Sequence, residues 1–228
     1  MRRYENLQHG NEKIIRESLD TLADKTTSIE AYRNAFELLG IELGHVLAKK
    51  VCDVPAKETM LVCASEDADW LAKGVENGFG KGELPMSIYW STRNTIYKSE
   101  SGEKIEISPI IKAYEESIEN CRLLIIVKSI ISSSCVVKTQ LTRLIDRIHP
   151  QRIAIMAPVM YKDAKPNLLK EFPKEISNKF IFLQFAVDED RLGDEVIPRI
   201  GGMVYPRLGL GDIKKKNQYI PQIVRMRM

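Results

Sequence analysis

The sequence predicts an α/β protein built on a doubly wound, mostly parallel sheet with helices on both faces and an N-terminal helical arm. Three observations predict it. Short apolar runs of strand length recur along the chain, stretches of helical period lie between them, and no repeat or low-complexity linker divides the 228 residues. A chain of that size buries roughly 70% of the surface it exposes when unfolded, enough for one sizeable core. The expected organisation is a single domain over 1–228, with 1–50 as the helical arm and 201–228 as a C-terminal wrapping loop or tail.

Residues 11–20 and 28–50 carry apolar side chains three and four apart. In the second stretch Ile29, Tyr32, Ala35, Phe36, Leu39 and Leu43 share one face, and Thr27 with Glu30 offers a capping-box start. Strands are expected at Met60–Ala64, Met86–Trp90, Leu123–Val127, Arg152–Ala157 and Phe180–Ala186, apolar runs of the kind buried on both faces of a parallel sheet. Helices are expected at Trp70–Asn77, Ile110–Asn120, Val136–Ile148 and Pro166–Glu175. Ligands of such sheets sit beyond the carboxyl ends of the strands, so chemistry is expected in the loops at 65–70, 91–102, 128–136, 158–165 and 187–213. The piece from Gly201, rich in Gly, Pro and Lys, reads as loop.

Charge excludes little and names no partner: 34 basic residues face 31 acidic ones, well mixed, for a net +3. Nucleic acid is therefore not expected, and Lys214-Lys215-Lys216 reads as a solvated basic turn. Cys52, Cys63, Cys121 and Cys135 form no C-x-x-C pair, so they read as thiols of a reducing compartment. No signal-like core and no apolar run of ~18 residues is seen, so a soluble, cytoplasmic protein without a membrane anchor is expected. His9, His45 and His149 are far apart in sequence, and no nucleophilic pair emerges from their spacing.

Four segments carry a resemblance. Thr21-Leu22-Ala23-Asp24-Lys25-Thr26-Thr27-Ser28, followed by Tyr32-Arg33, is similar to L-I-R-D-K-D-T-S-T-K-E-F-R. The run Leu123–Ser134 sits where V-I-V-V-D-P-M-L-A-T-G-G-S is found, and Val187–Leu192 is similar to I-D-E-K-L-N. Met203–Asp212 is similar to Y-I-V-P-G-L-G-D-A-G-D. In order and spacing the chain resembles the uracil phosphoribosyltransferases over residues 20–213. The resemblance implies a phosphoribosyltransferase-like fold in which a nucleobase attacks 5-phosphoribosyl pyrophosphate and expels pyrophosphate.

The parts that such a reaction needs are altered. Lys128, or Val127 if the register slips by one, stands where the resemblance implies a ribose-binding carboxylate, and Ser132-Ser133-Ser134-Cys135, with Ser129 before it, replaces a Gly-containing phosphate cradle. Serine hydroxyls before a helix act either as plain caps or as an anion site assisted by Lys128. Ser65, Glu66, Asp67 and Asp69 replace a pyrophosphate loop with Arg and Gly. Like charges near 4 Å repel by about 1 kcal/mol in water and more in a drier site, so these acids oppose the donor. They either cap the next helix or hold a divalent cation. In the base loop, which includes Tyr205, the residues Pro206, Leu208 and Gly209 match the pattern while Arg207 replaces a glycine, so its side chain either fills the base pocket or swings outward. Asp188, Glu189, Asp190, Asp194 and Glu195 form an acidic cluster, open to readings as a solvated turn or as a metal- or base-orienting group.

The expectation is a protein without ordinary phosphoribosyl transfer, acting by binding a small phosphorylated or nucleobase-like ligand or by assembly. A homodimer is expected, with a protein partner as a further possibility, no assigned catalytic residue and no metal or cofactor. The rival is an active transferase with a recast site, which alone would call for magnesium.

Overall fold

The computed structural model describes all residues except 8, 9, 93, 99–103, 193, 194 and 199, so His9 and Asp194 lie outside the described residues. The chain opens with β1 (Arg2–Tyr4), α1 (Glu12–Ala23) and α2 (Ile29–Lys50), then β2 (Thr59–Ala64), α3 (Lys73–Phe79) and β3 (Met86–Ser91). A hairpin of β4 (Asn94–Lys98) and β5 (Lys104–Ile107) leads to β6 (Ile110–Glu115), β7 (Leu123–Val127) and β8 (Ile130–Ile131). Next come α4 (Cys135–Ile148), β9 (Arg152–Met156), β10 (Val159–Tyr161), α5 (Ala164–Glu171), α6 (Lys174–Ser177), β11 (Phe180–Leu183) and β12 (Ala186–Asp188). The hairpin of β13 (Asp190–Leu192) and β14 (Glu195–Ile197) precedes α7 (Val204–Arg207), α8 (Ile213–Gln218) and α9 (Gln222–Arg227).

The main sheet has the order β11-β9-β7-β2-β3-β6. All neighbours are parallel except β3 and β6. Three adjacent strands then break for two residues, at Lys128-Ser129, Ala157-Pro158 and Gln184-Phe185. They resume as β8, β10 and β12 in a second sheet whose antiparallel edge is β1. The alternation of strand side chains decides the layers. Leu61, Cys63, Leu123, Ile125 and Val127 face one core with α1, α2, α3 and the C-terminal segment, while Met60, Val62, Leu124 and Ile126 face a second core with α4 and α5. Sheets covered on both faces require the near-continuous apolar strands seen in the sequence.

Glycines decide how closely α2 and α3 cross. A Cβ at Gly40 would stand 2.3 Å from the Leu71 carbonyl oxygen, and one at Gly78 only 2.0 Å from that of Ile41. The two backbones touch, and this contact holds the turn between β2 and α3 against α2.

Several expectations are corrected. Ile110–Asn120 is not a helix: residues 110–115 form β6, an antiparallel edge strand whose register shifts beside Trp90 and Ser91. Its apolar residues, Ile110, Ile111 and Tyr114, fit a helical spacing, but pairing with β3 prevails. Phe180–Ala186 is interrupted at Gln184-Phe185 rather than continuous. The tail from Gly201 contains three short helices, not loop alone. The N-cap of α2 is Ser28, whose hydroxyl accepts from the Ala31 N–H at 3.2 Å, whereas the Thr27 hydroxyl donates to the Thr21 carbonyl at 2.9 Å.

Candidate functional site

The carboxyl ends of β2, β3 and β7 converge where a ligand of this architecture would sit. Beyond β2 the chain makes a tight 3-10 turn at Ser65–Asp67 and a π-helical turn at Ala68–Ala72 before α3. That turn carries Glu66 and Asp67 inward, and both are buried, Asp67 at 2% exposure. Lys128, the first residue after β7, reaches them from the adjacent strand. Its ammonium donates to Asp67 Oδ2 at 2.6 Å and to Glu66 Oε1 at 3.1 Å. The backbone N–H of Ser129 donates to Asp67 Oδ1 at 3.2 Å. From the C-terminal segment Lys216 places a second ammonium 3.6 Å from Glu66 Oε2 and donates to the Ser91 carbonyl at 2.7 Å.

Two carboxylates and two ammoniums therefore close on each other in a site screened from water. Burial works to lower the Lys128 ammonium, but the charges of Asp67 and Glu66 outweigh it and raise it above the ordinary lysine value. Burial works to raise Glu66, yet Lys128 and Lys216 hold it below the usual carboxylate range. Asp67 is raised, by burial first and by the charge of Glu66, with Lys128 opposing. The acids that face a phosphate donor in the sequence reading are thus occupied by the chain's own cations. Chemically, the cluster is neutral in formal charge and offers no unpaired cation to a pyrophosphate.

Asp69 has a different task. It accepts from the Tyr219 hydroxyl and from the backbone N–H groups of Gln222 at 2.8 Å and Ile223 at 2.9 Å. The first turn of α9 is thereby capped by a residue 153 positions upstream. Tyr219 stacks on Trp70 with ring centres 6.5 Å apart, and the Trp90 indole N–H donates to the Tyr219 carbonyl at 2.7 Å. On the outer side of Asp69 a cavity of about 700 Å³ lies between α3 and α9.

The other sequence-derived residues fall around this cluster without joining it. The Arg207 guanidinium donates to the carbonyls of Gly201 and Asp24, both at 2.8 Å, and lies over the ring of the buried Tyr32. Pro206 stands within α7, while the Leu208 carbonyl accepts from the Arg33 guanidinium at 2.7 Å. Gly209 has φ +75°, a left-handed conformation that favours glycine. Of the base loop, Tyr205 approaches the cluster, with its ring centre 5.9 Å from the Lys216 ammonium.

At the start of α4, the Ser134 hydroxyl accepts no cap hydrogen bond from its own helix and donates instead to Glu171 Oε1 at 2.5 Å. Ser132 and Ser133 precede it in the turn. Asp188 lies at the end of β12, fully buried, in a bidentate pair with Arg2 at 2.7 and 2.9 Å, and Asp190 faces the Met1 ammonium. Among the described residues no cluster of His, Cys, Asp and Glu has the geometry to hold a metal ion. Sequence reasoning missed Lys216, read as part of a solvated turn, and Tyr219. The one available signal was an aromatic residue and a Lys run in a tail long enough to return over the sheet.

No protein-family model and no curated protein sequence matches the chain. Among solved structures, the AQ2163 protein from Aquifex aeolicus superposes with a TM-score of 0.70, covering 90% of this chain and 96% of that one at 15% identity. At that identity the likeness establishes a common fold. Weaker likenesses are found to hypoxanthine-guanine phosphoribosyl transferase and to UMP synthase, both from Leishmania donovani. Their TM-scores are 0.45 and 0.46, their identities 9% and 11%, and they cover 75% and 77% of this chain and 90% and 36% of theirs. No helix among the described residues is long and apolar enough to cross a membrane.

Proposed function

We propose that this chain is a phosphoribosyltransferase-like protein of uracil phosphoribosyltransferase type that does not carry out phosphoribosyl transfer. It acts instead as a binding or assembling protein, with a donor site rebuilt into an internal ion cluster. One observation carries the reading: the Lys128 ammonium sits 2.6 Å from Asp67 and 3.1 Å from Glu66. A donor needs a carboxylate for its ribose hydroxyls and cations for its phosphates. Here the carboxylates and cations of the strand ends are consumed by each other, and pulling Lys128 away would strand two buried acids. Breaking such a pair costs about 3–5 kcal/mol, which a donor would have to overcome before binding.

The ligand class that fits this reading is small and nucleobase-like or phosphorylated, held outside the closed cluster. The assembly is a homodimer, the commonest closed symmetry, in a reducing cytoplasm suited to the four free thiols. Incubation of the purified protein with labelled uracil, 5-phosphoribosyl pyrophosphate and magnesium tests the first part. Uridine monophosphate is expected at background level. Magnesium-dependent product lost on Ser133→Ala would instead establish the recast transferase. Light scattering tests the second part, with a monomer at micromolar concentration as the opposing result.

A further inference from the structure

The short helix α8 is docked by a lysine. Within Ile213–Gln218 the buried residue is Lys216, at 3% exposure, while Ile213, Lys214, Lys215 and Gln218 are exposed. Helices usually hold to a core through apolar side chains, and α8 inserts an ammonium instead. A second polar contact, from the Asn217 amide to the Thr92 hydroxyl at 3.0 Å, accompanies it.

The place that receives the ammonium is built for one. Lys216 donates to the Ser91 carbonyl at 2.7 Å, faces Glu66 Oε2 at 3.6 Å and lies 5.9 Å from the centre of the Tyr205 ring. A carbonyl, a carboxylate and an aromatic face are the groups that recognise a primary ammonium. Capacity is left over. Glu66 Oε2 is buried without a hydrogen-bond partner, and so is the hydroxyl of Ser65 beside it, a fully buried residue. An element held by few buried apolar contacts opens at low free energy. The segment that follows is anchored separately, through Asp69 to Tyr219 and α9, so α8 can lift while α9 stays in place.

We propose that the hollow at the ends of β2 and β3 is a primary-ammonium site that the chain fills with its own Lys216, so that α8 is a latch displaced by an alkylammonium ligand. The inference rests on the proposed reading of a donor site rebuilt around internal ion pairs and adds to it a second, cationic ligand, taken by the cluster itself and distinct from the ligand held outside it. The n-butylammonium ion, a mimic of the lysine side chain, is the probe. Tetramethylammonium, which donates no hydrogen bond, and sodium are controls at matched ionic strength.

Thermal melts compare wild type, Lys216→Ala and Lys216→Gln in the three salts, and hydrogen exchange follows the amides of Ile213–Gln218 in wild type. Butylammonium is expected to raise the Tm of Lys216→Ala by several degrees more than either control, and more than it raises that of wild type. It is also expected to speed exchange across Ile213–Gln218 several-fold while leaving Leu123–Val127 unchanged. Absence of either response overturns the latch. Should Lys216→Ala not fold, Lys216→Gln takes its place in the melts. Uridine monophosphate formation is measured on the same wild-type sample. Its appearance counts against the closed donor site, whereas amine-insensitive melts and exchange count against the latch alone.

Discussion

Lys128 and Asp67 stand 61 positions apart in the sequence and 2.6 Å apart in the fold, on adjacent strand ends of the main sheet. Because β2 and β7 are parallel neighbours, residues just past their ends meet at the same level. A lysine at one end thus finds an acid at the other. The pair is a consequence of register.

Lys128→Ala should lower stability by about 3–5 kcal/mol, since it leaves Glu66 and Asp67 buried with much of their compensation gone. Adding Asp67→Asn to it should recover part of that loss. Urea denaturation of the single and double variants measures both, and a double variant no more stable than the single one would show that the pairing is not the source.

Asp69→Ala should cost about 1.5–3 kcal/mol, the range for hydrogen bonds to a charged acceptor. It removes the acceptor of the Tyr219 hydroxyl and of two N–H groups at the start of α9. Hydrogen exchange should quicken in Gln222–Arg227 well before the sheet responds. Uniform quickening would contradict a local capping role.

Gly78→Ala and Gly40→Ala should each destabilise by about 1–3 kcal/mol or more through overpacking, because the added methyl would overlap a backbone carbonyl of the facing helix. A loss within a few tenths of a kcal/mol, measured by urea titration, would mean that α2 and α3 separate without cost.

Glu115 accepts from Arg143 at 2.7 Å, Arg147 at 3.0 Å and the Tyr89 hydroxyl at 2.7 Å. Burial works to raise its carboxyl, but these three partners depress it to about 2. A carboxyl whose folded value is depressed adds stability above its unfolded value, and that stability is lost as pH falls through the folded one. Its contribution should therefore fade between about pH 4.5 and pH 2. Thermal melts of wild type and Glu115→Gln should differ at pH 6 and converge toward pH 2. A constant gap would exclude titration of this group.

The regular elements of this fold were readable because burial on both faces leaves long apolar runs: Leu123–Val127 is found as expected, and α2 follows from its apolar face. The β6 edge was not, since a run flanked by Ile110, Ile111 and Tyr114 satisfies helical spacing as well as strand pairing. Neither was the backbone contact between α2 and α3. Gly40 and Gly44 show the spacing, but a glycine does not name the helix it will touch. In the site, the altered residues at 65–69 and 128 were visible as departures from a pattern. Their partners were not: Lys216 and Tyr219 lie some 150 positions from Glu66 and Asp69, and only the returning tail brings them together.

Calorimetric titration of the wild-type protein with 5-phosphoribosyl pyrophosphate in excess magnesium tests the central claim most directly, because transfer without donor binding is impossible. A strand-end site closed by Lys128, Glu66, Asp67 and Lys216 predicts heats no larger than dilution. Saturable binding at micromolar donor, lost on Ser133→Ala, would contradict it.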